Sequence, residues 1–151
     1  MKIKTLVGAG DRIGILVLPV LVGGVGLNIA FPGLFSVGGP PDTLRAVSYL
    51  MLVPGVIVWL WSVVLILTRV PRGELITSGP FALVKHPLYT GVALLVVPWA
   101  GFLLNTWVGA LIGAAVYIGS RLFARSEEDT LAQAYGPAWY AYASSVKLPW
   151  L

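Results

Sequence analysis

Residues 46–68 read AVSYLMLVPGVIVWLWSVVLILT and contain no charged side chain. A helix rises about 1.5 Å per residue, so a run of this length crosses the roughly 30 Å hydrocarbon core of a bilayer. The rest of the chain shares this bias: 58% of its 151 residues are hydrophobic, 11% are charged, and the mean hydropathy is +0.89. Soluble domains carry about 25% charged residues. The sequence therefore predicts an integral membrane protein.

Three other apolar runs accompany this one. They cover residues 13–31, 89–104 and 107–123. Because helices satisfy their own backbone polar groups inside a bilayer, we expect an all-α polytopic membrane protein with about four transmembrane helices, formed by residues 1–151 as a single domain. Only Asn105 and Thr106 separate the last two runs, which predicts a tight C-terminal helical hairpin. Pro98 lies inside the third run and predicts a kink there.

The positively charged residues are unequally distributed between the two ends of these helices. Nine of the ten Lys and Arg residues fall on one side: Lys2, Lys4, Arg12, Arg69, Arg72, Lys85, Arg121, Arg125 and Lys147. Arg45 alone falls on the other side. Because cytoplasmic loops are enriched in Lys and Arg, we expect both termini to be cytoplasmic, in a cell membrane of prokaryotic type. The net charge of +4 then reflects orientation and contact with membrane lipids rather than nucleic-acid binding.

Two polar segments interrupt the apolar sequence on the expected cytoplasmic side. The first, residues 79–91 (GPFALVKHPLYTG), holds the only histidine, His86, and is called the histidine loop. The second, residues 126–150, begins SEED and is rich in aromatic residues; it is called the C-terminal segment. A carboxylate binds an ammonium group and an aromatic face binds a sulfonium or an adenine ring, so the two segments together would suit S-adenosylmethionine. Solvated loops with an aromatic belt at the lipid headgroups are the alternative.

Three parts of the sequence together resemble a pair of enzyme families. They are ELITSGPFA at residues 74–82, KHPLYTG at residues 85–91, and Glu127-Glu128 followed by Leu131, Tyr135-Gly136 and Tyr142. The pattern resembles the isoprenylcysteine carboxyl methyltransferase and phospholipid N-methyltransferase families, which are integral membrane enzymes, over about residues 74–150. The resemblance implies S-adenosylmethionine as the cofactor, bound in a pocket on the cytoplasmic side.

The resemblance also implies which residues form that pocket. The implied cofactor contacts are Leu75, Ile76, Phe81, His86, Pro87, Leu88, Tyr89, Glu127 and Glu128. Three positions depart from the family pattern: Lys85 replaces the usual arginine, Phe81 replaces a common tyrosine, and Phe123 replaces an arginine that faces the acceptor in carboxyl methyltransferases. Arg121 or Arg125 could bind the acceptor instead. Carboxyl O-methylation and amine N-methylation therefore both remain open.

Two roles are open for His86. Histidine changes charge near neutral pH, so it can act as a catalytic base for an amine or hydroxyl acceptor; the role that we favour is to hold the cofactor. Methyl transfer from a sulfonium is an in-line displacement that depends on positioning and requires no metal. We expect a lipid-like or amphipathic acceptor, since a soluble donor and an apolar acceptor meet at this edge of the membrane.

Two other functions fit parts of the sequence. Membrane sterol reductases that use NADPH share a histidine-proline-x-tyrosine element, but this chain has Leu88 within it and little length for a dinucleotide site. A non-catalytic helical bundle would explain small residues such as Gly109 and Gly113, which let helices approach closely. It would not explain why the two polar segments occur together.

Overall fold

The computed structural model describes residues 10–38 and 41–151, and these residues form an all-α membrane protein. Five helices follow one another within these ranges: α1 Gly10–Ala30, α2 Pro41–Arg69, α3 Pro87–Leu103, α4 Val108–Tyr135 and α5 Pro137–Ser145. Short helical turns lie between them: Pro32–Phe35 after α1, and Val70–Arg72 and Gly79–Ala82 between α2 and α3.

Three of the helices, α1, α2 and α4, are long and apolar enough to cross a membrane, and α3 is a shorter apolar helix. Each predicted apolar run falls within or next to one of these four helices, which confirms the predicted fold class. Large apolar side chains point outward from the helices: Ile15 is 74% exposed and Leu50 is 68% exposed. In a bilayer this surface is solvated by lipid tails.

Two helices, α2 and α4, extend furthest beyond the predicted apolar runs. α2 begins at Pro41 rather than at residue 46, because proline is favourable in a first helical turn and Asp42 complements the positive end of the helix dipole. The fourth apolar run was predicted to end at residue 123, and the helix that contains it continues past that residue, since charged residues stop a membrane span without stopping a helix. α4 continues to Tyr135 and ends at Gly136, whose φ is +52°. The extension carries both glutamates of the C-terminal segment.

The hairpin of α3 and α4 is packed backbone against backbone. Its connection includes Asn105 in a left-handed conformation, with φ of +56°. A Cβ atom on Gly101 would lie 2.6 Å from the Gly109 Cα, and a Cβ on Gly113 would lie 2.7 Å from the Pro98 ring. The distortion expected at Pro98 takes the form of a π-helical turn just before it, Val92–Val96. The glycines therefore serve close helix packing.

Two apolar clusters hold the helices and the two polar segments together. The first joins α1, α3 and α4 through Ile13, Ala93, Val108, Ile112 and Val116. The second is formed by Trp139, Tyr142 and Val146 of the C-terminal segment, which pack against Leu75 and Phe81. Because the second cluster contains Phe81 of the histidine loop as well as residues of the C-terminal segment, it holds these two segments together.

Candidate functional site

The two polar segments meet at one cavity of about 490 Å³. Its lining comes from the start of α1, the end of α2 and the connection that follows it, the histidine loop, the end of α4, and α5. The lining residues are Gly10, Val63, Ile66, Leu67, Val70, Glu74, Leu75, Ile76, Phe81, Lys85, His86, Pro87, Leu88, Tyr89, Glu127, Thr130, Leu131, Ala134, Tyr135, Trp139 and Tyr142. Every cofactor contact implied by the sequence is in this lining except Glu128. The structure thus brings the predicted residues together, and their contact with a cofactor stays a prediction.

The histidine loop is shaped by a glycine and a proline. Gly79 has a φ of +63°, and a Cβ atom there would lie 3.0 Å from the Trp61 ring of α2, so a larger residue would be strained and crowded. His86 immediately precedes α3, and Pro87, which is fully buried, begins that helix. Proline suits this position because the first N–H groups of a helix lack intrahelical partners. The imidazole is therefore held at the start of α3.

The two glutamates of α4 contact the imidazole from different directions. The Glu128 carboxylate accepts a hydrogen bond from Lys85 Nζ at 3.0 Å and lies 3.3 Å from His86 Nε2. A Glu127 carboxylate oxygen lies 3.8 Å from the other ring nitrogen, His86 Nδ1. The His86 side chain is only 10% exposed, against 26% and 27% for the two glutamates. Glu127 therefore lines the cavity, while Glu128 ties together two residues that line it.

The C-terminal segment closes over the histidine loop through hydrogen bonds to its backbone. The Tyr142 hydroxyl donates to the Phe81 carbonyl at 2.9 Å, and the Leu148 N–H donates to the Leu83 carbonyl at 2.8 Å. Burial, together with the nearby charge of Glu128, raises the pKa of Tyr142 to about 12. The phenol therefore stays protonated and able to donate over the physiological pH range.

One wall of the cavity was missed by the sequence interpretation. It consists of Val63, Ile66 and Leu67 near the end of α2, together with Val70 just after it. Their spacing is that of a single helix face. The sequence does not single out this face, because α2 is apolar on all sides. The face that lines the cavity and the face that meets lipid therefore do not differ in polarity.

The arginines suggested as acceptor contacts do not lie in this cavity. Arg121 and Arg125 are exposed on α4 and are not part of the lining. Phe123 packs against the Ile13 cluster, and the Arg12 guanidinium lies 6.0 Å from its ring. A role for Arg121 or Arg125 in acceptor binding stays a prediction.

The chain was compared with models of protein families. The sequence model of the isoprenylcysteine carboxyl methyltransferase family matches residues 47–133. This range covers most of α2, the whole histidine loop, α3 and most of α4, and it is more than half of the chain. Comparisons with curated proteins and with solved structures give no match.

Proposed function

The chain belongs to the isoprenylcysteine carboxyl methyltransferase family and is a membrane methyltransferase, and on this premise we propose that it transfers the methyl group of S-adenosylmethionine to a lipid-like acceptor at the membrane edge. The observation that carries the proposal is the cavity shared by the histidine loop and the C-terminal segment. It combines a carboxylate, aromatic rings and an apolar wall in one space. The carboxylate and the aromatic rings would suit the polar methyl donor, and the apolar wall would suit the acceptor.

The lining suits the proposed cofactor. A volume of about 490 Å³ lies in the range of small-molecule sites. Glu127 would hold the ammonium group, and the rings of Phe81, Tyr89 and Trp139 offer faces for the sulfonium or the adenine. When bound, the cofactor supplies an electrophilic methyl group on sulfur. Lys85 also lines the cavity, and its ammonium group, which donates one hydrogen bond to Glu128, has further N–H groups for the cofactor's carboxylate.

The arrangement around His86 favours holding over base catalysis. Both ring nitrogens face a carboxylate, with Glu128 at 3.3 Å and Glu127 at 3.8 Å. An imidazole flanked in this way is fixed in orientation, and proton exchange with an acceptor would have to compete with these contacts. We therefore assign His86 to shaping the cofactor site.

The acceptor would occupy the apolar side of the cavity. The wall formed by Val63, Ile66, Leu67 and Val70 belongs to a membrane helix and the turn that follows it. An acceptor with an apolar chain would bury that chain here and present its polar end toward Glu127. The excess of Lys and Arg at this end of the helices supports a cytoplasmic position for the cavity and for both termini.

The family assignment also weighs against the two other functions. A match that covers α2 to α4 favours methyl transfer over nicotinamide-dependent reduction. A non-catalytic bundle gives no reason for a cavity that gathers Glu127, His86 and Lys85.

Calorimetric titration of the detergent-solubilised protein with S-adenosylhomocysteine tests the proposal. We expect saturable binding, and Glu127→Gln should weaken it by roughly 10-fold or more, because hydrogen bonds to charged groups contribute about 1.5–3 kcal/mol. Asp129→Asn is the matched control, since Asp129 is an exposed acid on the same helix and outside the lining. Absence of binding heat in the parent protein, together with no competition by S-adenosylmethionine, would refute the proposal.

A further inference from the structure

The exposed face of α4 changes from apolar to basic near the end of its apolar run. Leu111, Ile118 and Leu122 follow one another on this face at helical spacing, and each is more than half exposed. Arg125 continues the same face one turn after Leu122, and Arg121 lies at its edge. Apolar side chains on the outside of a membrane helix meet lipid tails. The two arginines therefore lie where the lipid tails give way to the head groups.

The two arginines are exposed and stand close together. Residues 121 and 125 are one helical turn apart on α4, so their side chains are neighbours on the helix surface. None of the ion pairs between described residues includes Arg121 or Arg125. Asp129, one turn beyond Arg125, is exposed and is also outside those ion pairs. The described part of the chain thus supplies no counter-charge to this pair of cations.

An exposed tryptophan lies near the same level of α4. The Tyr117 hydroxyl, one turn before Arg121, donates a hydrogen bond to the Trp150 carbonyl at 3.3 Å. The Trp150 residue is 62% exposed. Tryptophan is enriched at the interface between lipid tails and head groups, because its ring is apolar and its N–H is polar. The position of Trp150 therefore agrees with a head-group level at the arginine pair.

The phosphate of a phospholipid matches this arrangement. A guanidinium group presents a planar set of N–H donors that fits two phosphate oxygens, and two such groups one turn apart can share one phosphodiester. The lipid tails would lie along Ile118 and Leu122, which are exposed on the same face. A lipid without net charge fits less well, because its own cationic group would be repelled by the arginines.

We propose that Arg121 and Arg125 bind the phosphate of an anionic phospholipid in the leaflet on the side of the cavity. The lipid is a ligand of the α4 surface and not the methyl acceptor, since neither arginine lines the cavity. The inference does not depend on the proposed function. It bears on the site all the same, because Glu127 and Glu128 follow Arg125 within one turn of α4. A phosphate bound to the pair stabilises the part of α4 that carries both glutamates.

Binding of two lipids with identical tails tests the site. Dioctanoylphosphatidylglycerol carries a net negative charge and dioctanoylphosphatidylcholine does not. Native mass spectrometry of the detergent-solubilised protein measures the affinity for each lipid. We expect phosphatidylglycerol to bind at least about 10-fold more tightly, because each basic residue near an anionic head group contributes a factor of about five.

Variants with matched charge locate the preference on α4. Arg121→Gln combined with Arg125→Gln should reduce the difference between the lipids to less than about threefold. Arg45→Gln combined with Arg72→Gln is the control, because it removes the same charge from exposed arginines of α2 and the turn after it, and it should retain the preference. Phosphatidylglycerol should also raise the unfolding temperature of the parent protein and of the control, but not that of the α4 variant.

Two further measurements separate a phosphate site from general attraction to negative charge. Arg121→Lys combined with Arg125→Lys keeps the charge but lacks the planar set of donors, so we expect an intermediate preference. Glycerol phosphate has the head-group chemistry without tails, and at equal concentration it should not displace phosphatidylglycerol.

The other outcomes overturn the inference. Equal affinity of the parent protein for the two lipids, or an unchanged preference in the glutamine variant of α4, would show that these arginines do not select an anionic lipid. A full preference in the lysine variant, or a lost preference in the control, would indicate diffuse attraction instead of a phosphate site. Displacement of the lipid by glycerol phosphate would indicate a soluble phosphate as the ligand.

Discussion

Replacing Glu128 by glutamine tests the role of a residue that stands behind the cavity lining. The carboxylate lies 3.0 Å from Lys85 Nζ and 3.3 Å from His86 Nε2, and the side chains of the Lys85 pair are 20% and 27% exposed. The amide keeps the size of the side chain but removes its charge. Lys85 then loses its counter-charge in a partly buried place. The amide has one acceptor oxygen and one NH2 group, so it cannot present an acceptor to Lys85 Nζ and to His86 Nε2 at the same time.

We expect Glu128→Gln to lower the free energy of unfolding by about 1–2 kcal/mol. Hydrogen bonds to charged groups contribute about 1.5–3 kcal/mol, and partial exposure of both partners reduces this value toward that of a screened pair. A double-mutant cycle with Lys85→Gln isolates the pair, and we expect a coupling of about 0.5–2 kcal/mol in the free energy of unfolding. Because the same contacts place His86 and Lys85 in the lining, affinity for S-adenosylhomocysteine should fall about 5- to 30-fold.

The two readouts distinguish positioning from stability alone. Unfolding is followed in detergent by circular dichroism, and affinity is measured by calorimetry well below the unfolding temperature. Glu128→Asp, which retains the charge, should recover part of the affinity. If Glu128→Gln bound S-adenosylhomocysteine as the parent does, with zero coupling to Lys85, the positioning role would be wrong.

Two further predictions concern the fold and its orientation. Gly113→Ala should lower the stability of the protein by several kcal/mol, because a Cβ atom there meets the α3 backbone. Gly26→Ala is the control: a Cβ atom at Gly26 meets nothing within 4 Å, so this variant should be neutral or stabilised by up to about 1 kcal/mol. Thermal unfolding of both variants measures the difference, and equal stability would refute the backbone packing. The chain has no cysteine, so Thr43→Cys and Ser144→Cys each introduce a single thiol. In intact cells a membrane-impermeant maleimide should label Thr43→Cys, at the expected outer side, and leave Ser144→Cys unlabelled. The reverse pattern would invert the orientation.

The fold was largely predictable because a bilayer permits few solutions. Apolar runs must become helices there, and the four runs do so. The helix ends were less predictable: the charged residues after residue 123 mark the end of an apolar span, yet α4 continues to Tyr135 because its backbone hydrogen bonding does not depend on hydropathy. That continuation, which hydropathy could not predict, places Glu127 and Glu128 beside His86.

The sequence by itself determined that the protein lies in a membrane, how many apolar runs it has and which residues form the two polar segments. Composition and charge can be read locally along the chain, so no tertiary contact is needed for these conclusions. Only the tertiary structure decided how each helix is rotated about its own axis. That rotation turns the α2 face with Ile66 toward the cavity, leaves Arg121 and Arg125 outside it, and sets Glu128 behind Lys85. A uniformly apolar helix carries no pattern that encodes its rotation, so contacts between helices have to set it.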